Sequence, residues 1–482
     1  MNILPQNREQ FLMFNSIDDF IPVNSPIRFL EILIEHIITE NKNKYLAKGE
    51  SLTGRPAYSA ETMLKIYLYG YLNRITSSRR LENECNRNLE MIWLTGNLRP
   101  DFKTIADFRK DNPTIIEQFA KDLRKLIKSF GLFDTKTIII DSTKLKANAS
   151  KKLDRRDDIV KRLFECKIEF ENYIKEINNN DNIIDDDDEK ILLEKKSNLL
   201  NEIKVLEAKI KKMDETHKNY ISNTDPNCYL VQKYGSYFTA YHLQVLTDPK
   251  YNFIVSEYLS NYNHDSYELP ISIEVIKEEY KELPEEIIAD AGYRNFDIIN
   301  DIEEKLSIEC IVAHKDKKKN SVINFTYDKT KDVMICSEGK ELKLHQKNKT
   351  SQASRVNEYL GTECLDCRMK EQCTKSKVGR NVTRYWNQEF RDNHKERMKT
   401  SINKQKFNKR KSSVEHIFGT IKQWLGYMPI LTRGREKVTT EIKLISSAYN
   451  IKRLMNIITI EELREKLSEV RNHNIRFNNA VS

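Results

Sequence analysis

No run of about 18 apolar residues occurs anywhere in the 482 residues, which excludes a membrane-spanning helix of ordinary length. The first ten residues, MNILPQNREQ, lack a basic stretch followed by an apolar one. A secretory leader is therefore not expected, and a cytoplasmic location is. Glycine (13) and proline (11) are scarce for this length, which excludes collagen-like and low-complexity chains and favours long helices. An excess of one charge is also missing: 81 basic residues stand against 72 acidic ones, for a net charge of +9. The positions of the charges, and not their average, must therefore select the partner. Only eight cysteines are present, and four of them (Cys336, Cys364, Cys367 and Cys373) fall close together. In a long chain without a leader such a cluster suggests metal before disulfides.

The length suggests about three domains. Residues 1–133 carry apolar residues at helical spacing in FLEILIEHI and ETMLKIYLYGYL. Within this helical unit SSRRLENECNRNLEMIWL, TGNLRP and DFKTIADFRKDN outline helix, turn and second helix, with Gly96 and Pro100 at the break. Arg79, Arg80, Lys103, Arg109 and Lys110 crowd that outline. Two readings fit: a helix-turn-helix unit whose cations neutralise DNA phosphates, or the solvated face of a helical bundle.

At 137–141 the composition changes to TIIID, a β-branched run of the kind found in buried strands. The sheet-forming part is expected to occupy 134–152 and 219–315. Between them, 153–218 is expected to form an antiparallel coiled helical hairpin, because Ile159, Leu163, Cys166, Phe170 and Tyr173 and then Leu199, Ile203, Leu206, Ile210 and Met213 alternate by threes and fours. Strand-like and helix-like segments alternate from SYFTAYHLQVLTD to EEIIADAGY, which predicts an α/β fold with a mixed sheet. Residues 316–385 are polar and cysteine-bearing. Residues 386–482 begin with a basic segment and end in helices.

Asp141 ends the run TIIID and Asp290 ends EIIAD, so each carboxylate is expected where a buried strand meets solvent. On neighbouring strands the two could share Mg²⁺ or Mn²⁺, which prefer hard oxygen ligands. A single aspartate in such a place is also a common turn residue or helix cap. Glu415 lies in SSVEHIFGTIKQW, with Lys411 and Lys422 on its side of the helix. It suits a metal ion beside a phosphodiester, and Ser412-x-x-Glu415 equally fits a capping box. The four clustered cysteines suit a tetrahedral structural zinc, with plain reduced thiols as the alternative.

IDSTKLKANAS, IIADAGYRN and RKSSVEHIFGTIKQWLGY, in this order, resemble the three catalytic segments of the DDE transposases of bacterial insertion sequences. The resemblance covers most of the chain, including RPDFKTIADFR and the late AYNIKRL. It implies an RNase H-like catalytic core with Asp141, Asp290 and Glu415 as the triad, two divalent ions, double-stranded DNA as partner, and a homodimer holding two element ends. The related signature around the glutamate places a Tyr seven residues before it, an Arg four before and a Lys seven after. Here those positions hold Asn408, Lys411 and Lys422, and Arg410 stands beside the second. The resemblance makes Arg410, Lys411 and Lys422 a clamp on the DNA backbone. The alternatives are a catalytically silent DNA-binding repressor and a nuclease that cuts without joining.

Overall fold

A computed structural model describes residues 16–45, 57–179, 186–216, 218–233, 235–314, 323–351, 354–425 and 430–481. Six helices come first: α1 (Pro26–Glu40), α2 (Ala60–Leu72), α3 (Ser78–Arg87), α4 (Leu89–Leu94), α5 (Phe102–Asp111) and α6 (Pro113–Ser129). Their starts follow local chemistry. Ser25, Ser59 and Asp101 accept hydrogen bonds from backbone amides of the first turns of α1, α2 and α5, and proline opens α1 and α6. α1 buries Ile27, Leu30, Ile34 and Ile37 along one stripe, whereas α2 is buried along most of its length.

β1 (Thr137–Lys146) and β2 (Leu153–Arg155) lead into the long helices α7 (Arg156–Asn179) and α8 (Asp186–Glu215). These pack on each other through Ile159, Cys166, Leu206 and Met213, with Leu163, Ile203 and Ile210 alongside. β3 (Tyr220–Ser222) pairs with β2 at their base, and the chain returns through β4 (Tyr229–Lys233), β5 (Ser236–Thr247) and β6 (Ile254–Leu259). α9 (Glu268–Tyr280), β7 (Glu286–Ala289), α10 (Phe296–Leu306) and β8 (Glu309–Val312) follow.

The main sheet has six strands in the order β4-β5-β1-β7-β8, with β6 sharing the outer edge of β5 with β4. β6, β5 and β1 run antiparallel, and β1, β7 and β8 run parallel, so the sheet is mixed. Alternation sorts its side chains. Ile138, Ile140, Ile287 and Ala289 enter the central core, while Ile139, Ile288 and Ile311 face the other side.

A second sheet, polar and antiparallel, is built from β9 (Phe325–Asp328), β10 (Val333–Cys336), β11 (Glu341–Ser351), β12 (Ser354–Gly361) and β13 (Arg380–Tyr385), with the one-turn helix α11 (Lys370–Cys373) before its last strand. Its core is small: Met334, Leu342 and Tyr359, flanked by Phe325, Tyr327 and Val382. α12 (Gln388–Arg397), α13 (Ser401–Leu425), α14 (Arg435–Met455) and α15 (Ile460–Val481) complete the chain.

α13 lies across β1, β7 and β8, where Val414 packs on Ile139, Ile288 and Ile311. α14 contacts α2, α5 and α6 on one side and β6 on another, so it joins the first helices to the sheet. A buried ion network crosses the same joint. Arg124 of α6 meets Glu257 of β6 at 3.1 Å and Glu279 of α9 at 2.7 Å, and Lys443 of α14 meets Glu257 at 3.0 Å. Removing one member would leave an uncompensated buried charge, at a cost of about 3–5 kcal/mol.

Candidate active site

β1 does not end at Asp141. It continues to Lys146 because β5 pairs with it throughout, Asp141 lying opposite Val245. It is the parallel neighbour β7 that stops. Ile139 pairs with Ile288, so Asp141 and Asp290, each two residues further on, come level at the point where β7 gives way to a turn. Both fall on the face of Ile139 and Ile288, the one that α13 covers.

The Asp290 carboxylate caps the short 3₁₀ turn Ala291–Tyr293, accepting from the Gly292 amide at 2.6 Å. The cap that the sequence offered as an alternative to catalysis is therefore present, and it fixes the carboxylate's position. Asp141 accepts from the Ser142 amide at 2.7 Å and from Arg410 Nη1 at 2.5 Å. Burial is the largest influence on Asp141 and pushes its carboxyl up to about 6, with the Asp290 charge adding to the rise against the lowering by Arg410 and the Ser142 amide. One guanidinium does not compensate this buried charge. The pair fits a stronger cation.

Arg410 stands one turn before Val414 on the sheet-facing stripe of α13. Glu415, five residues on, points about 140° away at 3.6 residues per turn, and is exposed together with Lys411 and Lys422. Among the described residues no hydrogen bond or ion pair joins Glu415 to either aspartate. The two aspartates thus come together in this arrangement with Arg410, and the glutamate stands apart.

A third carboxylate near the pair escaped the sequence reading. Asp265, between β6 and α9, accepts from His242 Nε2 at 3.0 Å and Gln244 Nε2 at 2.9 Å. Burial raises its carboxyl, but hydrogen bonds from His242, Gln244 and Ser142 outweigh that and leave it below the usual carboxylate range. A side chain at Gly292 would meet Asp290 Oδ1 at 2.8 Å and Asp265 Oδ2 at 3.2 Å, so glycine lets these carboxylates share one space. The signal lay in NHDSYELP, a polar segment ahead of a helix that reads as an ordinary turn.

Of the basic residues expected to meet DNA, Arg79, Arg80, Lys103 and Lys110 are exposed on α3 and α5, which pack on each other. Arg79 lies over the half-exposed Phe102 ring at 4.8 Å. Arg109 is different. It is only 7% exposed, lies 5.5 Å from the Tyr67 ring centre and donates to the Tyr71 hydroxyl at 3.5 Å. Its place on α5 points inward with Ile105, so it belongs to the helical core and not to a DNA-facing surface.

The four cysteines gather at one end of the second sheet. Cys336 ends β10 and accepts from the Lys340 amide at 3.3 Å. Cys364 and Cys367 lie on and just after the 3₁₀ turn Thr362–Asp366, and Cys373 ends α11. Burial raises the Cys373 thiol, and Cys364, Cys336 and Cys367 add to the rise. Among the described residues, however, no group of three or more His, Cys, Asp or Glu side chains is drawn close enough to hold a metal, at the cysteines or at the aspartates.

Residues 335–455, which include the four clustered cysteines, α13 and α14, match the family described as Transposase DDE domain. Residues 15–111, the first five helices, match a second family, Transposase domain (DUF772). Together they support a DDE-type transposase of an insertion sequence. Asp141 and Asp290 lie between the two matched segments. No curated protein matches the chain. Among solved structures, 92% of the chain is similar to 85% of a piggyBac transposase chain, from a cryo-EM structure of its synaptic complex with hairpin DNA, at 10% identity and a TM-score of 0.25. Among the described residues no helix is long and apolar enough to cross a membrane.

Proposed function

We propose that the chain binds the terminal repeats of its element as a homodimer and cuts and joins DNA strands with Asp141, Asp290 and Glu415 on an RNase H-like core. The observation that carries the reading is the level placement of Asp141 on β1 and Asp290 just past the end of its parallel neighbour β7, in a mixed sheet where β6, β5 and β1 run antiparallel. Asp141 and Asp290 are the residues that would hold Mg²⁺ or Mn²⁺. Bound there, the ions would activate the attacking water or 3′-hydroxyl and stabilise the leaving oxygen.

The protein groups have separate tasks. Before loading, Arg410 supplies the positive charge that Asp141 needs. Arg410, with Lys411 and Lys422, would hold the DNA backbone by charge. Glu415, exposed on α13 beside Lys411 and Lys422, would be the third carboxylate of the set. The exposed cations of α3 and α5 meet phosphates of the element end. The four thiols around Cys364 are the residues that would hold a structural zinc, were they drawn closer together than they are here.

The test is an assay of the full chain with a fragment carrying the element's inverted repeats and Mg²⁺. Cleavage and joining that vanish in Asp290→Asn and Glu415→Gln, while DNA binding persists, is the expected result. Binding without cleavage by the unaltered chain would leave only a silent repressor, and cleavage without joining would leave a nuclease.

A further inference from the structure

The turn that bears Asp290 is tied to the sheet by a buried hydrogen-bond chain. We propose that this chain, Tyr293–Gln244–Asp265 keyed by His242, is positioning machinery that aims the Asp290 carboxylate at its cation. The proposal rests on the metal-dependent reading above.

A 3₁₀ turn of three residues has little internal hydrogen bonding to hold it. Tyr293, its last residue, is wholly buried, and its hydroxyl donates to Gln244 Oε1 at 2.5 Å. With that oxygen accepting, the Gln244 amide nitrogen can only donate, and it does so to Asp265 Oδ1 at 2.9 Å. The same oxygen faces His242 Nε2 at 3.0 Å. The other ring nitrogen of His242, Nδ1, faces the Tyr262 carbonyl at 2.9 Å. Both nitrogens of the buried ring thus face acceptors, Asp265 on one side and the Tyr262 carbonyl on the other.

Every link is directional, and all but Asp265, whose side chain is 21% exposed, lie inside. Gln244 and His242 are at most 1% exposed. On β5 they stand opposite Ser142 and Lys144 of β1, the strand of Asp141. One strand register therefore places Asp141 directly and, through Tyr293, also fixes the turn of Asp290. Apolar side chains would fill the same volume without choosing one orientation for the turn, whereas a fully satisfied buried network chooses one. What it holds together is two carboxylates: Asp265 Oδ2 and Asp290 Oδ1 both lie within 3.2 Å of where a side chain at Gly292 would begin. Asp265 and His242 touch no reacting atom here. They act through the turn.

Tyr293→Phe in the full chain removes one hydroxyl and keeps the ring. Three readouts are needed: Mn²⁺ binding to the DNA-free protein by paramagnetic resonance, Mg²⁺ dependence of cleavage, and DNA affinity. Mn²⁺ affinity is expected to fall about tenfold, with a similar rise in the Mg²⁺ needed for half-maximal cleavage. DNA affinity and the melting curve should stay near those of the unaltered chain. Asp265→Ala should reproduce the defect. Asp265→Asn, which keeps an acceptor for Gln244 and His242, should fall between Asp265→Ala and the unaltered chain. Unaltered Mn²⁺ binding in Tyr293→Phe overturns the proposal, as does a parallel loss of DNA binding and thermal stability, which would mark a merely structural role. An unaltered chain that neither binds Mn²⁺ nor cleaves, and behaves like Asp290→Asn, overturns the metal-dependent reading itself.

Discussion

Replacing Arg410 with glutamine removes the guanidinium that lies 2.5 Å from Asp141, between side chains that are 13% and 20% exposed. Two consequences follow, and they oppose each other. A charge-assisted hydrogen bond in such partly desolvated surroundings stabilises by about 1.5–3 kcal/mol. If Arg410 and the divalent ion compete for the same carboxylate, losing it strengthens ion binding by that amount, or about 10- to 100-fold. Against this, the Asp141 carboxyl already sits near 6 with Arg410 present, and without it moves higher, so more of it is protonated near neutral pH. The balance therefore depends on pH. At pH 8 competition should dominate, and calorimetric titration with Mn²⁺ should show at least about tenfold tighter binding by Arg410→Gln. At pH 6 the advantage should shrink or vanish. Weaker Mn²⁺ binding by the variant at pH 8 would refute the reasoning, because Arg410 would then be supporting the site and not occupying it.

Asp141→Asn should stabilise the metal-free protein. With the folded carboxyl near 6 and the unfolded one at 3.8, the folded state binds more protons in that window. Stability of the unaltered chain accordingly falls as pH rises from about 4 to 6, by up to about 3 kcal/mol. Denaturant titrations at pH 7.5 and pH 4 should show the variant's gain at the first and none at the second; equal stability at both would remove the burial argument. For the cations of the helical unit, Lys103→Ala should lower the slope of log affinity against log salt by about 1, with little change in folding. Arg109→Ala should instead lower folding stability, because its guanidinium sits among Tyr67 and Tyr71, and a changed salt slope without a folding defect would put it on the DNA. Elemental analysis of the purified protein should find about one zinc, lost in a Cys364→Ser/Cys367→Ser double variant; less than half an equivalent in the unaltered chain would favour plain thiols.

The parts of the fold that could be read from sequence were those with strong periodicity. The hairpin helices announce themselves through residues such as Ile159, Cys166, Leu206 and Met213, which meet as their spacing requires. TIIID and EIIAD locate β1 and β7, but β1 runs on through DSTKLK, whose alternating side chains carry no apolar run to mark it. The second sheet was invisible for a similar reason. β11, ELKLHQKNKTS, is mostly polar because its sheet has so small a core, and its order depends on neighbours far along the chain. Arg109 looked like surface because arginine usually is. Its burial is set by Tyr67 and Tyr71 on another helix, and no local pattern encodes that. Asp265 needed the fold even more, since its two donors come from a strand more than twenty positions earlier. Local patterns located Asp141 and Asp290; what surrounds them was set at long range.

The ion network of Arg124, Glu257, Glu279 and Lys443 also bears on how such an enzyme could measure DNA. It fastens the last of the opening helices to the sheet and to α14 through contacts that tolerate little slippage. If those helices grip an element end, the number of base pairs between grip and cut is a fixed length written in protein, like the gap between a carpenter's fence and blade. A lengthened or loosened joint would then show itself as ragged ends, cut at several positions, before it showed itself as slower cutting.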